Sequence, residues 1–401
     1  MNFFKTITLD QAINEIKKRI DKVIEIEEIP LWKSLNRVLS EDIFSEIDIP
    51  SFDRSTVDGY AVKAKDIFGA SEFSPIPLTY IGEGEMGKKT DIFLKSGECM
   101  YIPTGGMLPE GSDAVVMIED CENLADEILV NRGVSELSNI ILKGTEVTKD
   151  EILIRKGEII KSSHIGVLSS IGKSRVKVYK KLKFSIISTG DEIVELGKDL
   201  KLGEVYDINT HIFSALIEEG FGEVVQTFLV RDDLELLSKK LESALEKSDI
   251  VLISGGSSVG MRDFTVAALE KIGGEVFIHG LSLKPGKPTI VAKCKDKFVF
   301  GMPGHPQSGV TVFKALIEPT FLNRDRVKVY GELAQNIYGD SGKRCFINAK
   351  LEVVNGEVKI YPVTSKSSMI RPLLECDGII IIPEYKEGFY KGEVVEVILN
   401  D

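Results

Sequence analysis

Apolar residues follow different periods in different parts of the chain. Between Leu182 and Leu322, short apolar runs alternate with stripes of helical spacing. LKFSIIS, VVQTFLV, DIVLIS, EVFIHGL, and TIVAK with FVFGM read as strands, while Leu234, Leu237, Leu241 and Leu245 mark one of the helices between them. DIVLIS is uninterrupted and β-branched, as suits a strand buried on both faces of a parallel sheet. This alternation predicts a doubly wound, largely parallel sheet whose ligands lie outside the carboxyl ends of its strands. Near the start, Thr8 and Gln11 stand at capping-box spacing ahead of Ile13, Ile16, Ile20 and Val23, which predicts an amphipathic helix. From Pro50 to Val130, runs such as PIPLTYIGEGEM and YIPTGGMLPEGSDAVVM are broken by glycine and proline, the texture of a small β domain. Residues 139–176 are mixed, with a helix around Ile165–Leu168 that ends at Gly172 and is expected to pack with the first helix. Beyond Arg326, FINAKLEVVNGEVKIYPV alternates strictly, and Asn355-Gly356 is a hairpin-turn signal.

The expected fold is therefore multidomain α/β plus β. Residues 1–49 and 139–176 form a discontinuous N-terminal α+β domain, 50–138 an inserted small β domain, 177–326 the doubly wound α/β domain, and 327–401 a C-terminal β domain. At 401 residues the chain exceeds what one hydrophobic core usually supports. Its 62 acidic and 50 basic side chains give a net charge of −12 with no basic block, which argues against nucleic acid as a partner. An anionic substrate would then need local lysines or a metal. No apolar stretch approaches membrane-span length and MNFFKTITLD lacks a secretory core, so a cytoplasmic protein with no membrane partner is expected. The five cysteines include no CxxC and the four histidines are scattered, which argues against a zinc site or disulfide framework.

Four polar clusters fall at the predicted strand ends: Ser188–Glu192, Arg231–Asp233, the turn ISGGSSVGMRD at Ile253, and GMPGHPQS at Gly301. In the third, Gly255, Gly256 and Gly260 free the backbone to approach an anion, and a helix beginning near Asp263 would offer unpaired N–H groups. The same residues also describe an ordinary strand-to-helix turn. Glu192, Asp232 and Asp263 come from separate strand ends, and three converging carboxylates repel unless a hard cation such as Mg²⁺ sits among them. Each also fits as a helix cap, Asp232 or Asp233 above all. Lys284 and Lys287 flank Pro285-Gly286, a rigid turn that would present two ammonium groups to an oxyanion, or else simply a solvated basic turn. His305, between Pro303 and Pro306, reads as a loop packing residue. Ser254 lacks the GxSxG context of a nucleophile.

SFDRSTVDGYAV at Ser51, IPTGGMLPEGSDAVVM at Ile102, FSIISTGDEIV at Phe184, VYDINTH at Val205, SGGSSVGMRDFT at Ser254, LKPGKP at Leu283 and GMPGHPQS at Gly301 follow one another over nearly the whole chain. In this order they resemble the molybdopterin molybdotransferase family, to which the E domain of gephyrin is related. The resemblance implies a molybdenum insertase that binds adenylylated molybdopterin, takes up molybdate or tungstate, and releases molybdenum cofactor and AMP with Mg²⁺. It implies an elongated homodimer of four-domain subunits, each cleft lying between one subunit's α/β domain and the other's small β domain. Carried over by motif, Glu192, Asp232 and Asp263 are catalytic and metal-binding, and Asp58 and Thr104 reach the cleft from the second subunit. Ser254, Gly255, Gly256, Ser257, Ser258 and Gly260 lie under the substrate phosphates, with Asp207, Asn209, Pro303 and Pro306 as further substrate contacts. Lys284, Lys287, Ser308, Arg344 and Ser367 form the molybdate pocket. The adenylyltransferase that supplies the substrate and apo-molybdoenzymes that take the product are the implied protein partners.

Two positions depart from the family pattern: Gly304-His305-Pro306 stands for GNP, and Gly144-Thr145-Glu146 for GxD. Two other readings compete. A molybdopterin adenylyltransferase uses a related α/β domain with similar SGG and TGDE turns, but the additional domains at both ends speak against it. A noncatalytic pterin-binding scaffold is disfavoured by the presence of Glu192, Asp232 and Asp263.

Overall fold

The computed structural model describes residues 6–20, 25–124, 126–219, 222–255, 259–321, 326–364 and 366–400, the side chains of 259–263 excepted. The chain divides into two units, one of Met1–Ile29, Ser34–Val38 and Lys177–Asp401, the other of Pro30–Lys33 and Leu39–Val176.

In the first unit the expected strands and helices alternate. Strand β1 (Leu182–Thr189), helix α2 (Asn209–Glu218), β2 (Gly222–Val230), α3 (Leu234–Lys247), β3 (Ile250–Gly255), α4 (Val259–Lys271), β4 (Glu275–His279), β5 (Ile290–Cys294), β6 (Lys297–Met302) and α5 (Pro306–Val312) follow an N-terminal α1 (Leu9–Lys18). The sheet order is β2-β1-β3-β6-β5-β4, parallel through its first four strands and antiparallel at β5 and β4. A connection as short as Lys295-Asp296, between β5 and β6, closes only as a hairpin, which is why the sheet ends mixed. Strand β3 is buried on both faces: Ile250 and Leu252 enter one core with Phe213 and Phe313, while Val251 and Ile253 enter a second with Leu237, Leu241 and Leu269. Of the predicted helical stripe, Leu237 and Leu241 are buried, and Leu234 and Leu245 pack against them.

Two expectations are corrected here. The capping box of α1 forms, with Gln11 N–H donating to Thr8 Oγ1 at 3.3 Å and Thr8 N–H to Gln11 Oε1 at 3.0 Å. Its apolar face of Leu9, Ala12 and Ile16 nevertheless joins the core of the α/β domain, so α1 belongs to a different unit from 139–176. The helix in that segment, Ser162–Ser170, buries Leu168 alone and so offers little apolar stripe to receive a partner. Val23 lies outside the described residues. Helix α4 begins at Val259, four residues before the expected start at Asp263, so Gly260 and Asp263 belong to the helix itself.

After the α/β domain, Lys328–Leu333, β7 (Arg344–Val354), β8 (Glu357–Val363), Gly378–Ile382 and Val394–Leu399 close into a barrel, because Gly378–Ile382 pairs with both Val394–Leu399 and β7. The β7–β8 hairpin turns through Asn355 (φ 54°) and Gly356 (φ 84°), the left-handed pair that the sequence indicated. Leu283-Lys284 adds to this barrel as a short parallel strand beside Arg344-Cys345. The second unit is built on a six-stranded sheet in the order Ala114–Met117, Gly59–Val62, Glu98–Ile102, Ile76–Glu83, Glu127–Val130, Cys121–Leu124. No helix among the described residues is long and apolar enough to cross a membrane.

Candidate functional site: an acidic edge and a lysine-lined pocket

The sheet register brings the four polar clusters side by side. Thr189 pairs with both Val230 and Gly255, and Ser254 pairs with Met302, so the loops after β2, β1, β3 and β6 leave one edge in that order. At its acidic end, Asp233 Oδ1 accepts the Leu236 N–H at 2.8 Å and caps α3, which settles the capping question in favour of Asp233. Asp232 is left for other work. Its N–H donates to Asp191 Oδ1 at 3.4 Å, and its own carboxyl is pushed above the ordinary range by burial and then by the neighbouring Asp191 and Glu192. Burial and the two neighbouring carboxylates both disfavour a charged Asp232, and clustered hard oxygen donors of this kind suit a hard divalent cation. The described residues alone hold no group of three ligands close enough for a metal. Asp263's side chain, with Gly256, Ser257 and Ser258, lies outside the described residues.

Behind the edge, Asp207 is buried. Its Oδ1 accepts from Ser188 Oγ at 3.0 Å and from the Thr210 N–H at 3.1 Å, so this carboxylate fixes the start of α2 and is not turned outward to a ligand. Asn209 instead donates to Ser254 Oγ at 2.7 Å and to Gly304 O at 2.8 Å.

Next to the β6 loop lies a cavity of about 840 Å³ between the α/β domain and the barrel, lined by Lys284, Lys287, Pro303, His305, Ser308 and Ser367 among others. The Lys284-Pro285-Gly286-Lys287 turn is shaped by Gly286. At φ 118° a Cβ there would come within 2.5 Å of Leu283 Cδ1 and Val312 Cγ2, so only glycine fits. His305 Nδ1 and Ser367 Oγ are 2.8 Å apart, which ties the β6 loop to the barrel. Pro306 occupies the first turn of α5 and starts that helix, and it is not part of the lining.

Arg344 is not in this pocket. Its guanidinium takes Asp10 through two bonds of 3.0 and 2.8 Å and Glu384 Oε1 at 3.1 Å, and it borders a separate cavity of about 360 Å³. The charges that sequence reasoning missed are Lys343 and Lys366, which line the pocket, and Asp340, the one carboxylate among its described lining residues. Asp340 Oδ2 meets Lys343 Nζ at 2.9 Å and its Oδ1 meets Lys284 Nζ at 2.9 Å, and these ammonium groups, Lys343 first, hold its acid below the usual carboxylate range. Lys343 sits beside Arg344 in sequence, so a basic pair at the entry of a strand was the available signal.

In the second unit, Asp58 Oδ1 accepts the Thr104 N–H at 2.7 Å, so these two residues form one exposed feature. Glu146 faces Arg54, with Oε1 3.0 Å from Nη2.

A doubly wound α/β domain, followed by a barrel and preceded by a β-rich region, is the class that this architecture defines. Family descriptions match in the same order: 'MoeA N-terminal region (domain I and II)' at residues 7–172, 'Probable molybdopterin binding domain' at 185–323, and 'MoeA C-terminal region (domain IV)' at 330–400. A relative from Methanocaldococcus jannaschii is 36% identical over 97% of this chain and 96% of its own. A molybdopterin molybdenumtransferase of Staphylococcus aureus is 30% identical, covering 98% of this chain and 96% of that one. The crystal structure of a molybdopterin biosynthesis MoeA protein from Pyrococcus horikoshii OT3 superposes with a TM-score of 0.82 at 32% identity, over 98% of this chain and 100% of that chain. The chain belongs to the MoeA family.

Proposed function

We propose that the protein is a molybdopterin molybdenumtransferase, which inserts molybdenum from molybdate into molybdopterin during molybdenum cofactor biosynthesis. The observation that carries this reading is the lysine-lined pocket beside the β6 loop, on the strand-end edge of the α/β domain that also carries the acidic loops, a concentration of positive charge in a protein of net charge −12. Membership of a family whose relatives bear that name supports it.

The substrate in this reading is adenylylated molybdopterin, whose phosphoanhydride is the activated bond. The segment Ser254–Gly260 and the amino end of α4 hold its phosphates, with Asn209 and Pro303 around them. Lys284, Lys287 and Ser308, joined by Ser367 and by Lys343, hold molybdate or tungstate. Glu192, Asp232 and Asp263 would hold Mg²⁺, which when bound offsets charge developing on the phosphate oxygens. The residues bring pterin and oxyanion together once AMP is released, and no side-chain nucleophile is needed. The protein acts in the cytoplasm as a homodimer in which Asp58 and Thr104 of a second subunit complete the cleft, taking substrate from an adenylyltransferase and passing product to apo-molybdoenzymes.

Purified protein given adenylylated molybdopterin, Mg²⁺ and molybdate should release AMP in step with cofactor formation, and Asp232→Asn should slow this by about a hundredfold, the scale of one preorganised electrostatic contact. Release of pyrophosphate from ATP and molybdopterin, with no molybdate-dependent turnover, would assign the protein to the adenylyltransferases instead.

A further inference from the structure

One amide joins the two ligand loops of the sheet edge. Asn209, the first residue of α2, gives one Nδ2 hydrogen to Ser254 Oγ, where β3 runs into the phosphate turn, and the other to Gly304 O, in the loop that lines the lysine pocket. Among the described residues its Oδ1 is buried without a partner, and the two contacts that hold the group are both donations. An orphaned buried acceptor is costly, and a side chain kept at that cost is kept for its donors. Ser254 Oγ accepts from Asn209, which leaves the serine's own hydrogen for an acceptor at the phosphate turn, and a bond made there polarises the chain behind it. Beyond Gly304 the contacts continue through His305 to Ser367 and through Gln307 to Met369 O, with Asn348 Nδ2 donating to Gln307 Oε1 at 3.3 Å. An unbroken path of hydrogen bonds and one short loop thus runs from the phosphate turn to the barrel wall of the oxyanion pocket.

We propose that Asn209 is a positioning residue that couples the two halves of the site. A phosphate on the Ser254 turn restrains the amide, the amide restrains Gly304, and His305 carries that restraint to Ser367, so that nucleotide and oxyanion bind cooperatively. His305, a departure from the family's asparagine, is the link on the pocket side. This inference rests on the function proposed above.

Calorimetry with AMP and sodium molybdate as probes tests it. In wild-type protein, saturating molybdate should lower the Kd for AMP about fivefold or more, and AMP should lower the Kd for molybdate by the same factor, as linkage requires. Asn209→Ala should bring that ratio to within about twofold of unity, the lower edge of measurable coupling. The ratio reports coupling however far each separate affinity falls. His305→Ala, which leaves both Asn209 bonds in place, should lower the ratio as well. Wild-type protein that binds both ligands independently, or variants that keep the full ratio, would overturn the coupling while leaving the functional reading intact. Wild-type protein that binds neither ligand would refute the functional reading and the coupling with it.

Discussion

Asp340→Asn is expected to tighten oxyanion binding, although it alters a residue that lines the pocket. In the structure the Asp340 carboxylate takes the place of an anion, with one oxygen 2.9 Å from Lys284 Nζ and the other 2.9 Å from Lys343 Nζ. A tetrahedral dianion entering between those lysines must displace that carboxylate or share its partners. Both pairs are open to water, since the side chains of Lys284, Asp340 and Lys343 are 61%, 36% and 38% exposed. Pairs of that kind are worth about 0.2–1 kcal/mol each, so giving up both costs on the order of 1 kcal/mol. At 1.4 kcal/mol per tenfold, the Kd for molybdate should fall about fivefold in the variant. Repulsion between the carboxylate and a dianion acts in the same direction and is screened over about 8 Å at physiological ionic strength, so the gain should shrink as salt rises towards about 1 M. Isothermal titration with sodium molybdate at fixed pH reads the effect, with Lys284→Met as the control that must weaken binding. Weaker binding by Asp340→Asn would refute the reasoning, because the carboxylate would then be aiming the two ammonium groups and not competing for them.

Three further outcomes follow from other parts of the molecule. The folded-state acid of Asp232 is raised from its ordinary value of 3.8 by burial and then by Asp191 and Glu192, so the folded protein binds more protons than the unfolded one across that interval and loses stability as pH rises through it. Asp232→Asn should therefore melt at a higher temperature than wild type at neutral pH without divalent cation, and millimolar MgCl₂ should narrow the gap by stabilising wild type; a lower melting temperature for the variant in metal-free buffer would contradict this. The Arg326 guanidinium pairs with Glu318, whose side chain is only 6% exposed, and Arg326→Met should cost about 3–5 kcal/mol in urea unfolding because it strands a buried carboxylate, with a loss below 1 kcal/mol counting against it. Gly356→Ala forces a Cβ onto φ 84° and should cost about 1–2 kcal/mol by the same assay, while Asn355→Gly stays near wild type; equal effects at the two positions would show that the turn does not hold these angles.

What could be read from the sequence was local. A strand covered on both faces shows itself as the uninterrupted run Ile250–Ser254, and a left-handed two-residue turn shows itself as Asn355-Gly356, because in each case the physical requirement falls on adjacent residues. The capping box of Thr8 and Gln11 was legible for the same reason. The surface on which α1 lies was not, since an amphipathic stripe states that a helix needs an apolar partner without saying which. Its partner came from the helices of 313–321, some three hundred residues on, and not from the serine-rich helix that the order of segments suggested.

The pocket follows the same division. Lys284 and Lys287 were legible because a single turn carries both, whereas Asp340, Lys343 and Lys366 reach the cavity only through the barrel's closure and its pairing with Leu283-Lys284. Arg344 was placed in the pocket by the family resemblance, and on chemistry alone a guanidinium is a better fork for an oxyanion than an ammonium group. That preference counts only for charge that is still available. Arg344 spends its donors on Asp10, which is 334 positions away in sequence, and on Glu384, while Lys343 shares one half-buried carboxylate with Lys284. The basic residues of a sequence therefore set an upper bound on the charge offered to an anion, and the pairing imposed by topology decides where that charge remains. In this protein it remains on the lysines.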